Sequence, residues 1–193
     1  MNAIELHKLK SDSSPLLDGY NRKFSYLRLS VTDRCNFKCV YCLPDGYQGK
    51  EQEPEMTIDE IRRLVAGFVE LGVRKVRLTG GEPTVRRDIV EIVEAVAKVP
   101  GIQKLAITTN GTRLPNLVMP LRDAGVTAIN ISVDSLEEKR FEEITGMNRF
   151  KEVMSGVDLA LRAGFESVKM NAVLLKNWND VDLESFKEWV RER

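Results

Sequence analysis

The feature that most restricts this chain is a repeat led by glycine. Four glycines each open a short run that is apolar at the first, fourth and sixth following positions. Gly72 leads into Val73, Val76 and Leu78, and Gly101 into Ile102, Leu105 and Ile107. Gly125 leads into Val126, Ile129 and Ile131, and Gly164 into Phe165, Val168 and Met170. A glycine behind the last turn of a helix can take the left-handed cap, and a short apolar run bounded by turn signals reads as a strand. Helical patterns fill the intervals. Thr57 with Glu60 makes a capping box ahead of Ile61, Leu64, Val65, Phe68 and Leu71. Asp88 with Glu91 predicts a second box before Ile92, Val93 and Val96, and Ser135 with Glu138 a third before Phe141 and Ile144. Val153, Val157, Ala160 and Leu161 form another stripe, and Asp180 opens a last one through Leu183, Phe186 and Trp189. Alternating strands and helices mean βαβ units and a parallel sheet, either doubly wound or barrel-like.

Strand side chains alternate between faces, so the fifth and seventh positions of each repeat share the face opposite the apolar one. That face holds Arg77 and Thr79, Ala106 and Thr108, Asn130 and Ser132, then Lys169 and Asn171. The earlier segment 26–32 follows the same rule, with Leu27, Leu29 and Val31 on one side and Arg28, Ser30 and Thr32 on the other. A doubly wound sheet lies under helices on both faces and should be apolar on both, whereas a barrel with a ligand-filled interior can be polar inside. The expectation is therefore an α/β fold, a partial (β/α) TIM-type barrel spanning residues 24–193 behind a loose lead-in, 1–23. Its fifth strand is expected over 167–174. Ligands in such folds sit at the carboxyl ends of the strands, where the sequence places its unusual loops.

Composition narrows the function classes. Of 193 residues, 29 are Lys or Arg and 29 are Asp or Glu, so net charge gives no grip on nucleic acid or an anionic membrane. No apolar run reaches the roughly 20 residues of a membrane span, so the expected location is the cytoplasm. The three cysteines, Cys35, Cys39 and Cys42, stand on one loop. In a reducing compartment an odd, clustered set suggests a metal site rather than a disulfide framework. A C-x3-C-x2-C loop suits three irons of a [4Fe–4S] cluster with the fourth iron left to a small molecule. A structural zinc site wants four ligands, and His7 in the lead-in is the one histidine available.

The cysteine loop, with aromatic Tyr41 before its last cysteine, and the Gly80-Gly81-Glu82-Pro83 segment resemble the radical S-adenosylmethionine (SAM) superfamily. Arg28-Leu29-Ser30-Val31-Thr32-Asp33, Cys42-Leu43-Pro44-Asp45-Gly46, Lys75-Val76-Arg77-Leu78-Thr79 and Thr108-Thr109-Asn110-Gly111 carry a closer resemblance, to the GTP 3′,8-cyclase family within it. The resemblance runs from about Phe24 to the end and covers the front part of the family's length. It implies a cluster on Cys35, Cys39 and Cys42, with SAM contacts from Tyr41, Gly80, Gly81, Glu82 and Ser132. It implies GTP contacts from Arg28, Arg77, Thr108 and Lys169. A 5′-deoxyadenosyl radical would take the 3′ hydrogen of GTP, and the ribose would close on C8 of the guanine, at the first step of molybdenum cofactor biosynthesis. A flavodoxin or ferredoxin would supply the electron. Family members continue for more than a hundred further residues, which hold the remaining barrel strands and a second three-cysteine cluster.

Independent of the resemblance, three cations on one interior face call for an anion among them. Pairing with Glu82, Asp134 or Asp33 as a structural ion network stays open as the alternative. So do a radical SAM enzyme of another branch and a non-catalytic iron–sulfur fragment that dimerises through its open edge. Asp134 and Asn110 stand at the strand ends as candidates to support the site.

Overall fold

All four repeat glycines adopt positive φ, +97° at Gly72, +103° at Gly101, +115° at Gly125 and +81° at Gly164, and each turns a helix into a strand. In the computed structural model, which describes residues 15–49 and 54–193, the strands are β1 (Tyr26–Ser30), β2 (Lys75–Thr79), β3 (Lys104–Thr109), β4 (Ala128–Ser132) and β5 (Ser167–Asn171). The helices are α1 (Ile58–Glu70), α2 (Ile89–Ala97), α3 (Leu114–Asp123), α4 (Glu138–Thr145), α5 (Phe150–Arg162) and α6 (Leu183–Arg191). Every strand pair is parallel and the order is β1-β2-β3-β4-β5. An order that never reverses has no switch point, so the doubly wound alternative is excluded. The sheet is the open part of a TIM-type barrel, with β1 and β5 as its edges.

The two faces divide as the alternation requires. Leu29, Val76, Leu78, Leu105, Ile107, Ile129 and Ile131 join Ile61, Val65, Ile92, Val96, Leu121, Phe141 and Val157 from the helices in one apolar cluster. Helices therefore cover this face. The other face carries Arg28, Arg77, Thr108, Asn130, Ser132 and Lys169. No helix among the described residues is long and apolar enough to cross a membrane.

Three local expectations change. Thr57 and Glu60 do form the capping box, but Asp88 does not cap α2. Arg86 is buried and needs a counter-charge, and it takes Asp88 by two bonds, Nε to Oδ1 at 2.9 Å and Nη2 to Oδ2 at 2.7 Å. Ser135 does not cap α4 either. Glu137 accepts the Lys139 and Arg140 amides, while buried Ser135 donates to Asp182. Ahead of β1, Leu16 N–H donates to Leu71 O at 2.9 Å, and Leu17 bridges Lys23. The rest of the lead-in, residues 1–14 with His7, lies outside the described residues. Finally, β5 stops at Asn171, and the Val173 amide turns to the Asp134 carboxylate at 2.9 Å instead of to a strand.

Candidate functional site

The site begins with the loop that leaves β1. Its backbone is held by the loop after β2, where Gly81 N–H donates to Thr32 O and Glu82 N–H to Arg34 O, both at 2.8 Å. A Cβ on Gly80 would stand 2.2 Å from Thr32 O, and one on Gly81 would stand 2.4 Å from Arg34 O. Only glycine permits this approach. The sequence argues for glycine as a residue that lets a backbone come close to a ligand. The backbone approached is the protein's own cysteine loop.

Glu82 is also turned inward. Its side chain accepts from the Thr84 amide and hydroxyl, from the Thr109 hydroxyl at 2.7 Å and from the Asn110 amide at 2.6 Å. The donors favour the ionised carboxylate, yet complete burial outweighs them and raises its pKa above the ordinary value. With both oxygens engaged, the Glu82 side chain braces the ends of β2 and β3.

Asn110 continues the brace to the cysteines. Its Nδ2 donates to Asn36 Oδ1 at 2.8 Å, and Asn36 Nδ2 donates to the Thr112 hydroxyl at 3.0 Å. Farther along the loop, Lys38 N–H donates to Thr145 O and Val40 N–H to Ile144 O at the end of α4. Phe37 meets Phe141 edge to face at 6.0 Å. Tyr41 hydroxyl then donates to Asp134 Oδ2 at 2.7 Å, which ties the loop to the end of β4. Loops after all four later strands reach the cysteine loop directly or through one partner.

Cys35 and Cys39 are half-buried and Cys42 is exposed. Burial pushes the Cys35 thiol up, and burial together with the Asp134 charge pushes Cys39 up to about 12. Cys35 and Cys42 act on Cys39 in the same direction, so the three sulfurs lie within electrostatic reach of one another. No set of three His, Cys, Asp or Glu side chains among the described residues is arranged to hold a metal ion. The donor chemistry nevertheless fits an iron–sulfur cluster: three soft sulfurs on a single braced loop, with no other cysteine in the chain.

On the polar face Arg28 stands opposite Arg77 across the β1–β2 ladder, and Asn130 stands between Thr108 and Lys169. Like charges directly opposite are unfavourable. None of Arg28, Arg77 and Lys169 is paired with a carboxylate among the described residues, because Glu82 and Asp134 are engaged elsewhere. The structural ion network is therefore absent among the described residues. Arg77 lies 5.5 Å over the Tyr26 ring, and its Nε is buried with no hydrogen-bond partner among the described residues, as is Thr108 Oγ1. Ser132 ends the same face beside Asn171. Asn36, Thr112, Asn179 and Tyr26 are site residues that the sequence reading does not reach.

A parallel, sequentially ordered α/β sheet with a three-cysteine loop at its carboxyl end defines a class, and the radical SAM superfamily profile matches residues 29–190. The chain belongs to that superfamily. Among curated relatives, the GTP 3′,8-cyclase of Aeromonas hydrophila is 56% identical over 185 residues, 93% of this chain and 54% of the relative. The GTP 3′,8-cyclase of Vibrio cholerae is 53% identical over 178 residues, 91% of this chain and 53% of the relative. The chain thus spans about half the length of the curated relatives it matches. Among solved structures, Streptococcus suis SuiB bound to S-adenosylmethionine superposes with a TM-score of 0.73 at 22% identity, over 93% of this chain and 39% of that one. HydG, a maturase of the [FeFe]-hydrogenase, gives 0.70 at 18% identity, over 87% of this chain and 39% of that one. These two share the fold.

Proposed function

We propose that this chain provides the SAM-binding and phosphate-binding part of a GTP 3′,8-cyclase. That enzyme converts GTP to (8S)-3′,8-cyclo-7,8-dihydroguanosine 5′-triphosphate, the first step of molybdenum cofactor biosynthesis. The observation that carries the reading is the buried pair Arg77 Nε and Thr108 Oγ1, unpartnered among the described residues, on a face whose three cations find no counter-ion among them. A buried donor without a partner costs about 1–3 kcal/mol, and a triphosphate would satisfy it. The name shared by the curated relatives supports the same substrate.

In this reading Cys35, Cys39 and Cys42 hold a [4Fe–4S] cluster. Tyr41, Gly80, Gly81, Ser132 and the Glu82 backbone face SAM, and Arg28, Arg77, Thr108 and Lys169 hold the triphosphate. When bound, the cluster and SAM together supply the one-electron chemistry that begins hydrogen abstraction. The chain's own residues bind and orient. The arginines offer planar donor forks to phosphate oxygens and Lys169 a point charge, while the braced loop keeps the thiols at the mouth of the polar face. The electron comes from a flavodoxin or ferredoxin in the cytoplasm.

The test is anaerobic reconstitution with iron, sulfide, SAM and reductant, on this chain and on one extended with the remainder of a relative. Formation of 5′-deoxyadenosine supports a radical SAM enzyme, and a GTP-dependent cyclic product selects the cyclase. SAM cleavage that is indifferent to GTP in the extended chain would assign it to another branch.

A further inference from the structure

Asp134 is 3% exposed and has no cation paired with it among the described residues. A buried carboxylate without a counter-ion is costly, so its retained bonds identify what it does. Oδ2 accepts from the Tyr41 hydroxyl at 2.7 Å, and Oδ1 accepts from the Val173 amide at 2.9 Å, just past the end of β5. Asn179, fully buried, seals the far side by donating to Asp134 O and, at 2.8 Å, to Val173 O. Tyr41 is 41% exposed, so packing alone does not fix it. One carboxylate therefore holds two segments that are remote in sequence, and one of them bears the thiols.

We propose that Asp134 is a positioning residue for the cysteine loop. Its carboxylate pins the Tyr41 hydroxyl, and through it the turn carrying Cys39 and Cys42, to the segment that leaves β5. The inference deepens the proposed function and rests on it for the meaning of the thiols, but the anchoring itself can be measured without a cluster. Hydrogen bonds in the layer behind a metal's ligands orient those ligands and tune the metal, and Asp134 occupies that layer through Tyr41.

The experiment compares the wild-type chain with Tyr41→Phe, Asp134→Asn and the double variant. Tyr41→Phe leaves the Asp134 to Val173 bond intact, so it tests the anchor even where Asp134→Asn lowers stability. In the metal-free chain, iodoacetamide labelling read by mass spectrometry should show Cys39 reacting roughly tenfold faster in Tyr41→Phe, the factor that one lost charge-assisted bond allows for local opening. Cys35, braced through Asn36, should keep its rate, and the double variant should match Asp134→Asn. In the reconstituted chain, both single variants should hold less iron and sulfide and show altered electron paramagnetic resonance g values for the reduced cluster. Unchanged Cys39 labelling in Tyr41→Phe, or additive effects in the double variant, would overturn the anchoring. A wild-type chain that takes up no iron while the labelling pattern holds would overturn the cluster reading and leave the anchor established.

Discussion

Arg77 is left unsatisfied by its own protein. Its Nε is buried without a partner among the described residues, and Tyr26 supports the guanidinium from one side. Residues kept for a ligand destabilise the empty site, so Arg77→Met should leave the ligand-free chain as stable as the wild type or more so, by about 1 kcal/mol. Arg77→Met, Arg28→Ala and Lys169→Ala should each weaken GTP binding by about 1.5–3 kcal/mol, read by calorimetry beside urea unfolding. Unchanged affinity in all three would remove the phosphate role. Glu82 behaves in the opposite way, since both carboxylate oxygens meet donors. Glu82→Gln would turn an N–H2 toward a donor and should cost about 1–3 kcal/mol in urea unfolding. Burial raises both Glu82 and Asp134 above their ordinary values of 4.5 and 3.8. The folded chain then binds protons more tightly than the unfolded one. This contribution is full below the ordinary values and is lost as pH rises through the raised ones. Stability measured from about pH 4 upward should therefore fall less steeply in Glu82→Gln and Asp134→Asn than in the wild type.

At the scale of the element, the glycine repeat separates backbone strain from packing. Gly164 has φ +81° with nothing near its missing Cβ, whereas a Cβ on Gly125, at φ +115°, would stand 2.6 Å from Ala97 Cβ. Gly164→Ala should cost about 1–2 kcal/mol for the left-handed conformation alone, and Gly125→Ala visibly more, because α2 must also move. Equal losses in urea unfolding would show that Ala97 gives way freely. The strands were legible because the repeat is local, and each glycine, apolar run and helix stripe sits within one window. Caps were legible only where nothing competed. Thr57 caps as the spacing predicts, but Asp88 is claimed by Arg86, whose burial no spacing reveals. Helix α3 announces itself poorly, with Pro115 in its first turn and Pro120 inside it. Within the site, the polar face followed from alternation alone. The Asn36 to Asn110 bond joins residues 74 apart in sequence, and Asn179 reaches Asp134 across 45, so neither leaves a local sign.

For the whole molecule, the open sheet sets the behaviour in solution. The edges at β1 and β5 present backbone groups that another strand can pair with, and the segment after β5 exposes Val173, Leu174 and Trp178. Light scattering should show this chain associating as concentration rises, and a chain extended with the remainder of a relative staying smaller. A monomer at all concentrations would mean that the edges are already protected. The clamps on the cysteine loop carry a consequence in time. Tyr41 waits for a partner 93 positions later, and Asn36 for one 74 later. Contacts at such separation form late, because the intervening chain must first give up its freedom. On a ribosome, the thiols emerge early and their final geometry arrives only after β4 and β5 have been made. Iron offered during synthesis would meet a slack loop, and iron offered afterward a finished one. On the proposed cluster role, the order in which the chain is read delays when it can be metallated.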